Sequence, residues 1–191
     1  MKQFLVASLF LAIPMAASAG IYNTGDWSPY LTSGFGVTYT NASMHGYDMS
    51  GFTGVFSIGA GARRDRVRVG LAYQRRDTIN ELFSSWLTQT DASLDEQALI
   101  ATVSYDIISG RWFGMYVGIG AGVNQYDFSL EYNDGYTPKY TDSGYGAIGS
   151  VSGGISLHIA NLSLNLGADY NYIARPRSQT ITPRVGFGLA F

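Results

Sequence analysis

Apolar residues recur at every second position along most of this chain. Over 181–191, Ile181, Val185, Phe187, Leu189 and Phe191 fall on one face, while Thr182, Arg184, Gly186, Gly188 and Ala190 fall on the other. A period of two marks a strand, because successive side chains point to opposite sides of a sheet. The same period runs over 30–40 (Leu31, Phe35, Val37, Tyr39), 51–62 (Phe52, Phe56, Ile58, Ala60) and 66–76 (Val67, Val69, Leu71, Tyr73). It returns over 96–107 (Leu99, Val103, Tyr105), 112–128 (Phe113, Met115, Val117, Ile119), 144–159 (Val151, Ile155, Leu157) and 162–173 (Leu162, Leu164, Leu166). Each strand has a greasy face and a small or polar face. A soluble sheet buries the greasy face under a second layer, whereas a membrane barrel turns it into lipid and keeps the polar face inside.

The connections choose between these. Residues 63–66, 109–111 and 160–161 read as tight turns, while 41–50, 77–95, 130–143 and 174–180 read as longer, polar loops. Within the second loop, 79–87 has the pattern of a short helix after Thr78. Short and long connections alternate, as in a barrel with short periplasmic turns and longer extracellular loops. Both chain ends then lie on the periplasmic side. Each strand has roughly 9–12 residues, the length a tilted strand needs to cross hydrocarbon. The aromatics sort to the strand ends: Trp112, Phe113 and Phe191 to the periplasmic rim, Tyr73, Tyr126, Phe128, Tyr170 and Tyr172 to the outer one. Two such girdles belong at the two membrane interfaces. The expected fold is all-β: an eight-stranded antiparallel up-and-down transmembrane β-barrel over 20–191.

Composition agrees. Only 14% of the 191 residues are charged, against roughly 25% in soluble domains. Glycine is abundant at 24, and there is no cysteine, which excludes disulfides and thiolate metal sites. A net charge of −2 offers no electrostatic grip on nucleic acid. Residues 1–19 have the layout of a signal peptide: Lys2, an apolar stretch from Phe4 to Ile13, and Ala17-Ser18-Ala19 before Gly20. Beyond residue 20 no run of about 18 apolar residues would make a transmembrane helix.

The signal peptide, the eight alternating segments and the terminal Gly186-Phe187-Gly188-Leu189-Ala190-Phe191 resemble the small outer-membrane barrels of the OmpA/OmpX and opacity-protein-like type. The resemblance covers the whole mature chain and is one of architecture. It implies a bacterial outer-membrane location, lipid and lipopolysaccharide as surroundings, and Phe191 as part of the signal read by the barrel-assembly machinery. Members of the family serve as adhesins, invasion or serum-resistance factors, envelope proteins or small pores, so a host or cell-surface ligand is a further implied partner.

The chemistry-bearing residues fall into three groups. Arg66, Arg68, Arg76, Asp106, Asp169 and Arg184 lie on the polar, lumen-facing side. Asp169 is expected to meet Arg184, and Asp106 to meet Arg66 or Arg68. Such pairs serve either as a selectivity element or as a plug in a lumen only just wide enough for side chains. The histidines are His45, near Ser43 and Asp48 in the first loop, and His158, near Ser156 and Ser163. A lipid A-modifying barrel needs a base, a nucleophile and an orienting carboxylate in contact; an inward His158 does not face lipid. Two scattered histidines make no metal site, and no cofactor is expected. The loop aromatics Phe83, Trp86, Tyr132 and Tyr136 stand among acids and suit partner contacts. The expectation is a monomeric, non-catalytic surface protein with an adhesion or envelope-integrity role through its outer loops. The alternative is a low-conductance porin-like channel, and lipid A modification comes third. Pro183, lacking an N–H, is expected to bulge or fray the last strand above Arg184.

Overall fold

The computed structural model describes residues 27–44, 46–84, 89–132 and 139–191, with backbone alone at 81–84, 89–90 and 132. The signal-peptide region, His45, Trp86 and Tyr136 lie outside the described residues.

The alternation becomes strands β1 (Ser28–Met44), β2 (Tyr47–Arg64), β3 (Val67–Ser84), β4 (Gln89–Ser109), β5 (Phe113–Tyr132), β6 (Tyr140–Ile159), β7 (Leu162–Ile173) and β8 (Arg177–Ala190). They form one closed antiparallel barrel in sequence order, with β8 paired to β1. Following hydrogen-bonded partners from Tyr30 through Gly61, Gly70, Thr102, Gly120, Ser150, Asn171 and Thr180 returns to β1 at Thr40, ten residues above the start. That stagger tilts the strands by about 35–45° and closes a lumen filled by side chains.

Outward residues form a closed apolar band. Phe35 packs on its cross-strand partner Phe56 with ring centroids 5.2 Å apart, and Tyr39 on Phe52 at 5.1 Å. Ile119 is 66% and Phe52 75% exposed, values that only lipid renders favourable. The upper edge of the band carries Tyr39, Phe52, Tyr73, Tyr145 and Tyr172; Trp112 and Phe113 stand exposed at the lower edge. Tyr126 and Phe128, expected in the outer girdle, instead point into the lumen and are 0% and 1% exposed. They share the inward phase of Tyr116 and Asn124 on β5.

The strands do not stop at the band. Residues 41–44 and 47–50, expected as a loop, extend the β1–β2 hairpin to a turn at Gly46 (φ 85°). Residues 79–84 are strand rather than helix, paired with 89–94 after a bulge between Arg76 and Ile79. Much of the expected third loop is likewise strand, Ser129 pairing with Thr141. The physical reason is a change of phase. Inside the band the apolar residues of β1 and β5 point outward (Tyr39, Val123). Above it they point inward (Ala42 and Met44; Tyr126, Phe128 and Leu130). On β4 the switch falls between Leu99 and Leu94. The inward residues Ala42, Met44, Met49, Ile79, Ala92, Leu94, Tyr126, Phe128 and Leu130 pack into one apolar cap in the upper lumen. Outside, this upper wall is polar, as a water-exposed sheet requires.

Strand β8 runs unbroken through Pro183. The missing donor is felt locally: pairing with β1 lapses between Gly36↔Arg184 and Tyr39↔Ile181. A side-chain bond between the Thr38 and Thr182 hydroxyls, 2.7 Å, bridges the gap.

Candidate functional site: the lumen and the outer crest

Three ionic layers occupy the lumen. In the lowest, Asp106 on β4 is 1% exposed and receives two guanidinium groups. Arg68 Nε donates to Oδ2 at 3.3 Å while its Nη2 donates to Oδ1, and Arg63 Nη2 lies 3.0 Å from Oδ2. Arg68 also stacks 5.5 Å from the centre of the Tyr116 ring. In the second layer Arg184 Nε meets Asp169 Oδ2 at 3.1 Å across the β7–β8 pair. In the third, Arg76 Nη1 meets Glu96 Oε2 at 3.2 Å, and Asn124 Nδ2 donates to Oε1 at 3.3 Å. Buried charges persist because they are paired; removing one partner of such a pair costs about 3–5 kcal/mol.

Glycines make room for the large lumen side chains. Tyr30 lies flat across Gly61 and Gly70, where a Cβ would stand 2.7 and 2.6 Å from its hydroxyl. Tyr116 lies across Gly154 and Gly167 in the same way, at 2.9 and 2.8 Å. Each ring follows a row of hydrogen-bonded partners over two neighbouring strands.

The expected pairs Asp106–Arg68 and Asp169–Arg184 form. Arg66 does not take part: it sits exposed in the β2–β3 turn, and only its carbonyl reaches Asp106, accepting from that backbone N–H at 2.7 Å. Arg63 enters in its place. It shares the inward phase of Ser57, Gly59 and Gly61 on β2, a signal masked by reading 63–66 as a turn. Glu96 was missed for a similar reason. It has the phase of Ser104 and Asp106, yet it lies where the outer apolar face ends.

Below the first layer a cavity of about 880 Å³ opens at the periplasmic rim, lined by Tyr30, Arg63, Arg68, His158 and Asn165 among others. Ser156, beside His158, donates instead to Asn165 Oδ1 at 2.6 Å, and Asn165 donates to Ser163 at 3.3 Å. Among the described residues, no three of His, Asp and Glu gather into a metal-binding group. At the rim, the Phe191 N–H donates to Pro29 O at 3.0 Å and ties the chain end to β1.

The upper wall rises furthest at β3, β4 and β5. Its outward face aligns Asp91 with Glu131, Ser93 with Ser129 and Asp95 with Asp127 as direct cross-strand partners. The two serine hydroxyls lie 2.6 Å apart. Nearby cations are few: Lys139 approaches Glu131 at 3.6 Å and Arg75 approaches Asp95 at 4.0 Å. Of the expected contact aromatics, Phe83 falls on β3 and Tyr132 ends β5, with their side chains outside the described residues.

No family model and no curated protein sequence matches this chain. Solved structures do. Neisserial surface protein A superposes with a TM-score of 0.61 at 20% identity, covering 85% of this chain and 97% of that one. Ail, the attachment invasion locus protein of Yersinia pestis, solved with the heparin analogue sucrose octasulfate, gives 0.52 at 13% identity over 85% and 99%. OprG of Pseudomonas aeruginosa gives 0.52 at 13% over 86% and 96%. These likenesses are of fold.

Proposed function

Taking the chain as a small eight-stranded barrel of the bacterial outer membrane, we propose that it is a non-catalytic surface protein acting through the outer wall of its crest. The observation that carries this reading is the continuation of β3–β5 past the lipid band with a polar, acidic outward face. Strands there are not needed to cross the membrane, and a rigid sheet presents side chains more reproducibly than a free loop. Cross-strand carboxylate pairs oppose one another electrostatically, which favours a basic partner surface that relieves the repulsion. The sign is opposite to that wanted for a sulfated polyanion such as the one bound to Ail. The partner class is therefore a cationic protein or cell-surface component, met by a monomeric barrel embedded among lipopolysaccharide. Immobilised protein in nanodiscs should retain polylysine but not heparin at low salt. Asp95→Asn with Asp127→Asn should weaken polylysine retention, and unchanged retention by that variant counts against the crest.

The runner-up is a narrow channel, favoured by the 880 Å³ periplasmic cavity. Three ionic layers and an apolar cap stand above that cavity, so the proposed lumen is closed to ions. Planar-bilayer recording separates the two: reproducible unitary currents from the wild-type protein would establish the channel. The absence of lipid A chemistry is tested by His158→Ala, which should leave lipid A acylation in expressing cells unchanged.

A further inference from the structure

The cavity at the periplasmic rim opens between the tight turns at 63–66, 109–111 and 160–161 and measures about 880 Å³. That is the size of a site for an organic molecule rather than for a lone ion. Its charge is one-sided. Arg63, Arg66, Arg68 and Arg111 line it, and among the described residues Asp65 is the one carboxylate that does. Asp106 lies behind Arg63 and Arg68, with 1% of its side chain accessible against 20% and 17% of theirs. One carboxylate shared by two guanidinium groups leaves a net positive charge, and the face this triad turns to the cavity is the cationic one.

The two buried-side arginines are also held in place. Arg63 commits Nη2 to Asp106 and Ser109 and Nε to the Asp65 carbonyl, while Arg68 commits Nε and Nη2 to Asp106. Neither Nη1 is used in these bonds. A planar guanidinium matches a carboxylate or phosphate, and one already fixed by its neighbours loses little freedom on binding it. Cationic groups between low-dielectric walls also concentrate anions from solution. Across the barrel, β6 and β7 add no carboxylate to the lining. They offer His158, which lies over Gly114, and Asn165, which is held by Ser156 and Ser163. We infer that this vestibule binds a small organic anion from the periplasmic side. Its carboxylate or phosphate group sits on Arg63 and Arg68, and a hydroxyl- or amide-bearing body lies against His158 and Asn165. The site is at the end of the barrel away from the crest and is independent of the role proposed there.

The full barrel in nanodiscs of zwitterionic lipid, which leave both rims open, is titrated with gluconate, glucose 6-phosphate and glucose, probes that share a hydroxylated body. NMR signals of the Asn165 side-chain amide and of the Arg63 and Arg68 Nε–H should move saturably with one or both anions and stay still with glucose. The anion that responds separates carboxylate from phosphate. Arg63→Gln should weaken binding about tenfold. If that variant does not insert, Arg66→Gln with Arg111→Gln, both in exposed turns, should weaken binding severalfold and flatten its salt dependence. Asp95→Asn with Asp127→Asn, on the crest, should leave it unchanged. No saturable shift with either anion, an equal response to glucose, or full affinity in the arginine variants overturns the inference. Loss of binding in nanodiscs containing phosphatidylglycerol would assign the site to a lipid headgroup and overturn the free solute as its ligand.

Discussion

The membrane half of this barrel and the crest above it are built from the same strands with opposite insides. Within the band, β5 turns Val117, Ile119 and Val123 to lipid and Tyr116, Gly118 and Asn124 to the lumen. A few residues higher, it turns Gln125, Asp127 and Glu131 outward and Tyr126, Phe128 and Leu130 inward. On β5 nothing in the backbone marks the change: the β4–β5 register runs without a break from Thr90 to Asp106. What changes is the solvent on the outer face. Lipid accepts apolar side chains and leaves the lumen to pair its own charges, while water requires a polar exterior and an apolar core. The crest is in effect a soluble β-structure grown on a membrane one.

This contrast can be broken at several points. The largest effect is expected from Glu96→Leu, at the junction of the two regions. It leaves Arg76 as a buried unpaired charge, at a cost of about 3–5 kcal/mol, measurable as a lowered urea midpoint in vesicle refolding. Phe128→Ala cuts into the cap and should cost a similar ~3–5 kcal/mol; if the midpoint is unmoved, the cap is not packed as a core. One charge introduced into each region separates them directly. Ile119→Arg, in the lipid band, should cost about 2–4 kcal/mol, whereas Ser129→Arg on the crest should stay within about 0.5 kcal/mol. Equal losses would remove the distinction between the solvents. The smallest effect is a gain: Asp127→Asn relieves its opposition to Asp95 and should stabilise by about 0.2–1 kcal/mol at low salt. That gain should fade as salt is raised. Outside the stability series, Phe191→Ser should lower the inserted yield in cells, scored by heat-modifiable gel mobility.

Much of this was legible in the chain. Period two over eight segments, the three tight turns and the two-faced last strand led to the barrel, and the phase of Asp106, Asp169, Arg68 and Arg184 placed them in the lumen. The crest was harder. Residues 41–50 and 130–143 have polar and turn-forming compositions, and 79–87 has helix-like spacing, so they resembled loops and a helix. Their alternation was present but shifted by one residue, as at Tyr39 and Ala42. That shift was legible in principle, because it needs only the parity of the apolar positions. Arg66 failed because a strand end and a turn differ by one residue, and one residue decides which arginine enters the lumen.

The sequence by itself determined the architecture, since alternation, turn spacing and a scarcity of charge leave lipid as the partner for the greasy faces. The tertiary structure alone decided that Arg63 rather than Arg66 joins Asp106, that Arg76 meets Glu96, where the outer apolar face ends, and that the lumen is layered into ion pairs beneath an apolar cap. Those depend on the ten-residue stagger around the barrel, which brings residues far apart in the chain to one height. No local pattern of residues contains that number.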